Sequence, residues 1–554
     1  MVQSNKLPPK YYHTYHQYIL KYVKKHYKTH LTKKEKQFIQ TLQKTDEDSQ
    51  CLYLRMAGRR SIFFKESQLQ YDEIKDIPNC LKTLQEAKLV EPLQEIHKPY
   101  YAEFLNTISK KELHEASQKL SQEKLKKTIN KPNLIAKIVE SIPFQKITKY
   151  FNQKEKIWVQ LEWEMEQKMR FLFFGHLYGS ITDFVVRDIG HQQYEVNDGQ
   201  EFTPYFTTRQ EIDECYELSR LSQQLYLLEK TTETETTFIW FQQWFEEQEY
   251  ETEKAQVKID KMLIRLGKYF EKNKKAIYAC QAYKHTQRPP SRERRVRLYK
   301  KAEDNGKALQ LCEEILQNPQ NNKEKIFAQD FKNRLIKGTK RTIKSTSQKL
   351  KEAEILPLDK KWKYNVEEGV LQYYKKKGYS GIFSENHLWR GLFGVVFWEL
   401  LYDLNASALH HPLQKLPSDL YQSNFYEKRK EAIHAHLNLL ANPAEFQIDL
   451  KSLFIEKQGT QNALVLWNDE MLAALQFLTQ QLKPHQLQPI LLKMCQNFKE
   501  NATGFPDLFI YKKRAYHFIE VKSPTDTLSA QQLHHLTLLE IHQIKAKIIR
   551  IVWK

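Results

Sequence analysis

Three residues late in this 554-residue chain have the types and spacing that phosphodiester chemistry requires: Asp507 after Pro506, then Glu520, and Lys522 two places further on. Two carboxylates offer hard oxygen ligands to a divalent cation, and a lysine beside them helps lower the pKa of an attacking water and place it. Such a set hydrolyses phosphate esters.

The residues around them predict how they meet. Pro506 fixes φ and turns the chain, so Asp507 opens an apolar strand, Leu508-Phe509-Ile510. Lys512-Lys513-Arg514 makes a hairpin turn, and Tyr516 to Lys522 pairs back, ending beside Asp507. Strand side chains alternate, so Glu520 and Lys522 share a face while Val521 points into the core and its carbonyl can supply a third oxygen ligand. A hairpin with charged ends is the plain alternative. The context favours a site, because Ser529 N-caps a helix directly after the strand.

Over Gly504–Gln532 the residues fit the pattern G-x-P-D-L, E-V-K-x-P-x-D-x-L-S-x-x-Q, with Gln532 at the glutamine. This resembles the VRR-NUC branch of the PD-(D/E)xK, restriction-endonuclease-like nucleases. Upstream, Ser384-Glu385-Asn386, Leu392 to Glu399, Asp419-Leu420 and Phe425 to Arg429 resemble segments of the Fanconi anaemia-associated nucleases. That resemblance implies an α/β nuclease domain binding Mg2+ or Mn2+, as two ions. It implies Glu385 as the remaining acidic ligand beside Asp507 and Glu520, and Gln532 as a DNA contact. The other reading of Glu385 is a first-turn helix carboxylate capped by Ser384. Glu399 reads as a solvated or paired side chain on an apolar helix.

Composition fits an anionic partner: 87 Lys+Arg against 67 Asp+Glu gives net +20, a counter-charge for phosphates. A membrane is not expected, since the longest apolar run, Leu392–Leu401, is too short to span one and contains Glu399. No signal peptide is expected among Lys6, Lys10 and Lys21, and no two of the six cysteines stand at metal-ligand spacing.

Before residue 380 the periodicity is helical. Residues 1–100 read as helices and resemble the winged-helix-like, DNA-binding front of the bacterial members of that nuclease family, where Lys34, Arg55, Arg59, Arg60 and Lys65 are candidate DNA contacts. Residues 101–150 resemble a SAP-type module whose Lys124, Lys126, Lys127, Lys131 and Lys137 would track a phosphate backbone. Residues 151–250 read as a helical connector.

Residues 251–380 follow the grammar of tetratricopeptide-like hairpins: a helix from Arg292, Asn305-Gly306, a second helix, Asn318-Pro319, and a third near Lys323. Alternate helices then begin at one edge, which places Arg294 and Lys325 in two first turns, a setting for a dianionic phosphate. In the family these align with residues that bind the 5′-phosphate of a flap. The fold class is therefore a mostly α N-terminal arm followed by an α/β restriction-endonuclease-like nuclease domain over residues 381–554.

The function expected from the resemblance is structure-selective 5′-flap endonuclease and 5′-to-3′ exonuclease activity in DNA repair, including interstrand crosslink release. The alternatives are a Holliday-junction resolvase or a non-catalytic DNA-binding scaffold. The resemblance to bacterial members implies a cytoplasmic, nucleoid-associated protein, or a nuclear one in a eukaryote.

Overall fold

A computed structural model of the chain describes residues 7–121, 126–190, 192–195, 200–231, 233–247, 249–337, 344–422 and 424–554. By its contacts the chain forms two compact units, Met1–His191 with Pro204–Ile212, and Gln192–Thr203 with Asp213–Lys554.

The first unit begins with helices Tyr11–His26, Lys33–Lys44 and Glu47–Ala57, the second held by a Thr32/Glu35 capping box and the third capped by Asp46. They lead into a three-stranded antiparallel sheet of β1 (Phe63–Lys65), β2 (Val90–Pro92) and β3 (Ile157–Gln160), with β3 in the middle. The central strand comes from beyond residue 150, where the sequence reading placed a boundary. β1 and β2 do not pair with one another, so β3 satisfies the backbone of both. The intervening helices Lys110–Leu120 and Lys131–Ser141 share one apolar core with it, through Phe63, Phe104, Leu113, Ile138 and Ile157.

The second unit carries the helical stack: Glu253–Lys272, Ala276–Lys284, Ser291–Lys301, Asn305–Gln317 and Asn322–Lys337. A buried ion pair locks the alternate helix starts. Arg292 donates to both Glu324 oxygens at 3.0 and 2.6 Å and to the Asn318 carbonyl at 2.9 Å. The expected common edge of the first and third helices is there, and Arg292 and Glu324 join it.

Five strands follow: β4 (Glu354–Leu358), β5 (Ser380–Phe383), β6 (Leu508–Lys512), β7 (Ala515–Lys522) and β8 (Ala546–Trp553), in sheet order β4-β8-β7-β6-β5. β4, β8 and β7 run parallel, and β7, β6 and β5 antiparallel. β4, which precedes residue 381, belongs to this sheet, and helix Val366–Lys376 covers one face with Val370 and Leu371. Local pattern could not reveal this, because the partner of β4 lies almost 200 residues away. The other face carries the larger core, where Trp389, Phe393, Leu475 and Ile490 from three helices meet Phe509 and Phe518. Among the described residues no helix is long and apolar enough to cross a membrane.

Candidate active site

The site forms where β6 begins and β7 ends. Gly504 takes φ +87°, a conformation that favours glycine, and a Cβ there would lie 2.6 Å from Gln531 Cγ. This lets the chain turn tightly against helix Ala530–Ile541, where Gln531 Nε2 donates to the carbonyls of Glu500 and Thr503. Phe505 is buried between the rings of Trp389 and His535, at 5.3 and 4.0 Å. Asp507 emerges from this anchored turn. The register Leu508↔Ile519 then sets it against the end of β7, where the Val521 N–H donates to Asp507 Oδ2 at 2.7 Å.

As the alternation required, Val521 packs with Leu356, Leu508 and Ile549, while Glu520 and Lys522 share the opposite face. Lys522 Nζ lies 2.7 Å from Glu520 Oε1. Gln532 ties the pair to the next helix: its Nε2 donates to Glu520 Oε1 at 2.5 Å, and its Oε1 accepts from Lys522 Nζ at 3.2 Å and from the Ser529 N–H at 3.0 Å. The Ser529 cap expected from the sequence is present as a capping box closed by Gln532.

Glu520 is wholly buried, and its Oε2 has no hydrogen-bond partner. Burial, then the Asp507 and Glu385 charges, push its carboxyl up to about 8 against the pull of Lys522. Asp507 is raised to about 6 by burial, and further by Glu385 and Glu367, against the Val521 N–H and Lys522. Buried carboxylates that repel one another and leave an oxygen unsatisfied fit a divalent cation, which would supply the missing partner and neutralise the charge. Among the described residues no three His, Cys, Asp or Glu side chains converge tightly enough to hold an ion. The candidate donors are therefore the carboxylates of Asp507 and Glu520, with Glu385 exposed in the neighbouring turn.

The family model "VRR-NUC domain" matches residues 442–553, and "FAN1, HTH domain" matches residues 10–91. The Fanconi-associated nuclease 1 homolog of Pseudomonas aeruginosa is 22% identical over 561 residues, covering 100% of this chain and 98% of that one. The chain thus matches two family models of the Fanconi-associated nucleases and is similar to one such nuclease homolog along its whole length. The human Fanconi-associated nuclease 1 is 27% identical over 191 residues, which cover 33% of this chain and 19% of that one. A crystal structure of paFAN1 bound to 5′-flap DNA with a 2-nt flap and a gap has a TM-score of 0.83 at 21% identity, covering 99% of each chain.

In this chain Glu385 is not on a helix. It lies in the turn after β5, followed by Asn386 at φ +59°, and the helix Leu388–Val396 starts three residues later. The first-turn reading is therefore corrected. What holds Glu385 near Asp507 is the backbone: the Ser384 and Glu385 N–H groups donate to the Asp507 carbonyl at 2.8 and 3.3 Å, and Ser384 Oγ donates to the Pro506 carbonyl at 2.7 Å. Glu399 is 82% exposed and lies 3.5 Å from His436, a solvated pair.

Other expected contacts are committed elsewhere. Arg294 is paired with Glu271, which also accepts from Tyr283, whereas Lys325 is exposed. Gln532, expected to face DNA, points its amide at Glu520 and Lys522 instead. Lys131 donates to the Asn106 carbonyl at 2.7 Å, Lys126 and Lys127 are exposed, and Lys124 lies outside the described residues. In the first unit Lys34, Arg55 and Lys65 pair with Glu162, Glu73 and Glu112. Gln531 and His535 brace the Asp507 turn and were missed from sequence; a glycine before Pro506 and glutamines after Ser529 were the available signal.

Proposed function

We propose that this chain is a metal-dependent, structure-selective DNA nuclease that cuts at 5′ flaps and then degrades inwards from the 5′ end. The observation that carries the reading is the buried, unpartnered Glu520 Oε2 on the face shared with Lys522 and opposite Asp507. Support for the substrate comes from the net charge of +20 and from paFAN1, which is bound to 5′-flap DNA in the similar structures.

Asp507, Glu520, the Val521 carbonyl and Glu385 would hold Mg2+ or Mn2+, as two ions. Bound there, divalent cations supply Lewis-acid activation of the attacking water and charge neutralisation at the scissile phosphate. The chain's own groups do the positioning. The Val521 N–H fixes one Asp507 oxygen and leaves the other available. Gln532 holds Glu520 by one oxygen, and Lys522 keeps a cation where a phosphate oxygen would lie. The anchored turn at Gly504–Phe505 keeps the two carboxylates in register.

Arg294 and Lys325 would take the 5′-terminal phosphate. Arg294 does so by exchanging Glu271 for the stronger dianion, with Lys325 at the start of the neighbouring helix. Lys124, Lys126, Lys127 and Lys131 would follow the phosphate backbone. Release of interstrand crosslinks and a cytoplasmic, nucleoid-associated location complete the reading. Incubating the purified chain with a labelled 5′-flap duplex and Mg2+ tests it: flap-dependent cleavage that EDTA stops is expected, and metal-independent cleavage or none at all would overturn it.

A further inference from the structure

The loop joining β4 to the helix Val366–Lys376 has no part in the site described so far. It reads Asp359-Lys360-Lys361-Trp362-Lys363-Tyr364-Asn365. Topology fixes where it emerges. β4, β8 and β7 are parallel, so their C-terminal ends leave the sheet at one edge, the edge where Glu520 and Lys522 close β7. Leu358 pairs with Trp553 and Lys522 with Arg550, so β4 ends two strands to the side of Lys522 and three residues beyond it. With strands ~4.8 Å apart and a rise of ~3.3 Å per residue, that is roughly 10 Å in each direction. The charge of Glu367, two residues past the loop, is felt at Asp507.

The loop is firm at its root and open at its tip. Asp359 accepts from the Lys361 N–H at 2.9 Å, capping a 3-10 turn over Lys360–Trp362. The Lys363 and Asn365 N–H groups close on the carbonyls of Lys360 and Trp362 at 3.0 and 2.9 Å. Trp362 is wedged against Gly369, where a Cβ would meet its ring at 2.7 Å, and packs on the core of Leu356 and Leu358. Tyr364, two residues on, is 94% exposed. Lys360, Lys361 and Lys363 are exposed around it, with Lys361 over Trp362 at 5.6 Å and Lys363 over Tyr364 at 5.9 Å.

A bare aromatic ring among lysines on a rigid turn has the chemistry of a single-strand platform. The ring offers a stacking face to any base, and the ammonium groups offer counter-charge to the phosphates on either side. A duplex would use the lysines and leave the ring in water. We propose that the Lys360–Tyr364 loop receives an unpaired DNA segment beside the active site, with Tyr364 stacked on a base and Lys360, Lys361 and Lys363 on its backbone. The proposal rests on the nuclease reading and adds to it a place for the unpaired nucleotides.

The test compares the full chain with Tyr364→Ala, Tyr364→Phe and Lys360→Ala/Lys361→Ala/Lys363→Ala on a flapped duplex and on a nicked duplex without unpaired nucleotides, both with Mg2+. Tyr364→Ala should raise KM for the flapped substrate about 5- to 50-fold with kcat unchanged, and Tyr364→Phe should restore it, because stacking needs only the ring. The nicked substrate should respond to the lysine variant alone. Flaps carrying 5-iododeoxyuridine at successive positions should photocrosslink to Tyr364. An unaltered KM for Tyr364→Ala without a crosslink at Tyr364 would overturn the proposal, as would equal losses on both substrates. A wild-type chain that cuts neither substrate would sink the nuclease reading itself, a different result.

Discussion

Gln532 Nε2 lies 2.5 Å from Glu520 Oε1, so the first turn of helix Ala530–Ile541 holds one oxygen of the buried carboxylate and leaves the other free. The neighbouring Gln531 reaches the opposite way, to the turn that presents Asp507. Two adjacent glutamines thus brace both halves of the site. Replacing Gln532 with Leu should raise the Mg2+ concentration needed for half-maximal cleavage about 10- to 100-fold, the range for outer partners of metal ligands. A Mg2+ titration of cleavage, with cation binding followed by calorimetry, measures it; an unshifted titration would mean the contact is inert.

Asp507→Ala and Glu520→Ala should each reduce flap cleavage by roughly 10³-fold or more, because several kcal/mol of barrier lowering depend on the cation site. DNA affinity should hold nearly constant, since binding rests on many phosphate contacts elsewhere. Single-turnover kinetics with anisotropy binding separates the two. Cleavage at the wild-type rate by either variant contradicts the site.

Glu385→Gln keeps the side chain's shape and removes its charge. Cation affinity and activity should both fall steeply, and the carboxyls of Asp507 and Glu520, which Glu385 raises, should ionise more easily. Calorimetry with Mg2+ or Mn2+ decides; unchanged affinity and rate would remove Glu385 from the ligand set.

The raised carboxyls give stability a pH dependence of known sign. Glu520 at about 8 and Asp507 at about 6 in the fold stand above ordinary values of 4.5 and 3.8. Between those limits the native state binds more protons than the unfolded chain, so their contribution is greatest at low pH and is lost as pH rises toward 8. Buried, neutral His16 and His535, both lowered to about 3, act oppositely below about 6.5. The Glu520→Gln variant isolates the carboxyl effect. In EDTA the wild-type Tm should fall relative to that of Glu520→Gln as pH goes from 5 to 8, and Mg2+ should restore it. Parallel Tm curves in EDTA would refute this.

Arg294→Ala with Lys325→Ala should blur the cut register on a 5′-phosphorylated flap while leaving the chemical step intact, as should removing the phosphate. Arg292→Ala differs: it strands Glu324 in the interior and should cost about 3–5 kcal/mol of stability. Sequencing gels and denaturant unfolding distinguish them. Sharp, identical cuts with phosphorylated and hydroxyl 5′ ends would exclude a phosphate pocket.

The sequence by itself determined whatever depends on neighbours along the chain. Pro506 and the alternation of Tyr516–Lys522 put Glu520 and Lys522 on one face, Ser529 started the next helix, and Asn305-Gly306 and Asn318-Pro319 punctuated the stack. Turn chemistry and strand period act over a few residues, so they are legible without a fold. Tertiary structure decided what depends on groups meeting across long separations. β4 joined the sheet through a partner almost 200 residues away, Arg294 settled on Glu271 rather than in an open pocket, and Gln532 turned its amide to the carboxylates. Glu385 approached Asp507 through backbone bonds from a turn, where a helix start had been expected. In each case a buried or charged group took its partner from whatever the packed chain brought near, and that proximity is not encoded in local pattern.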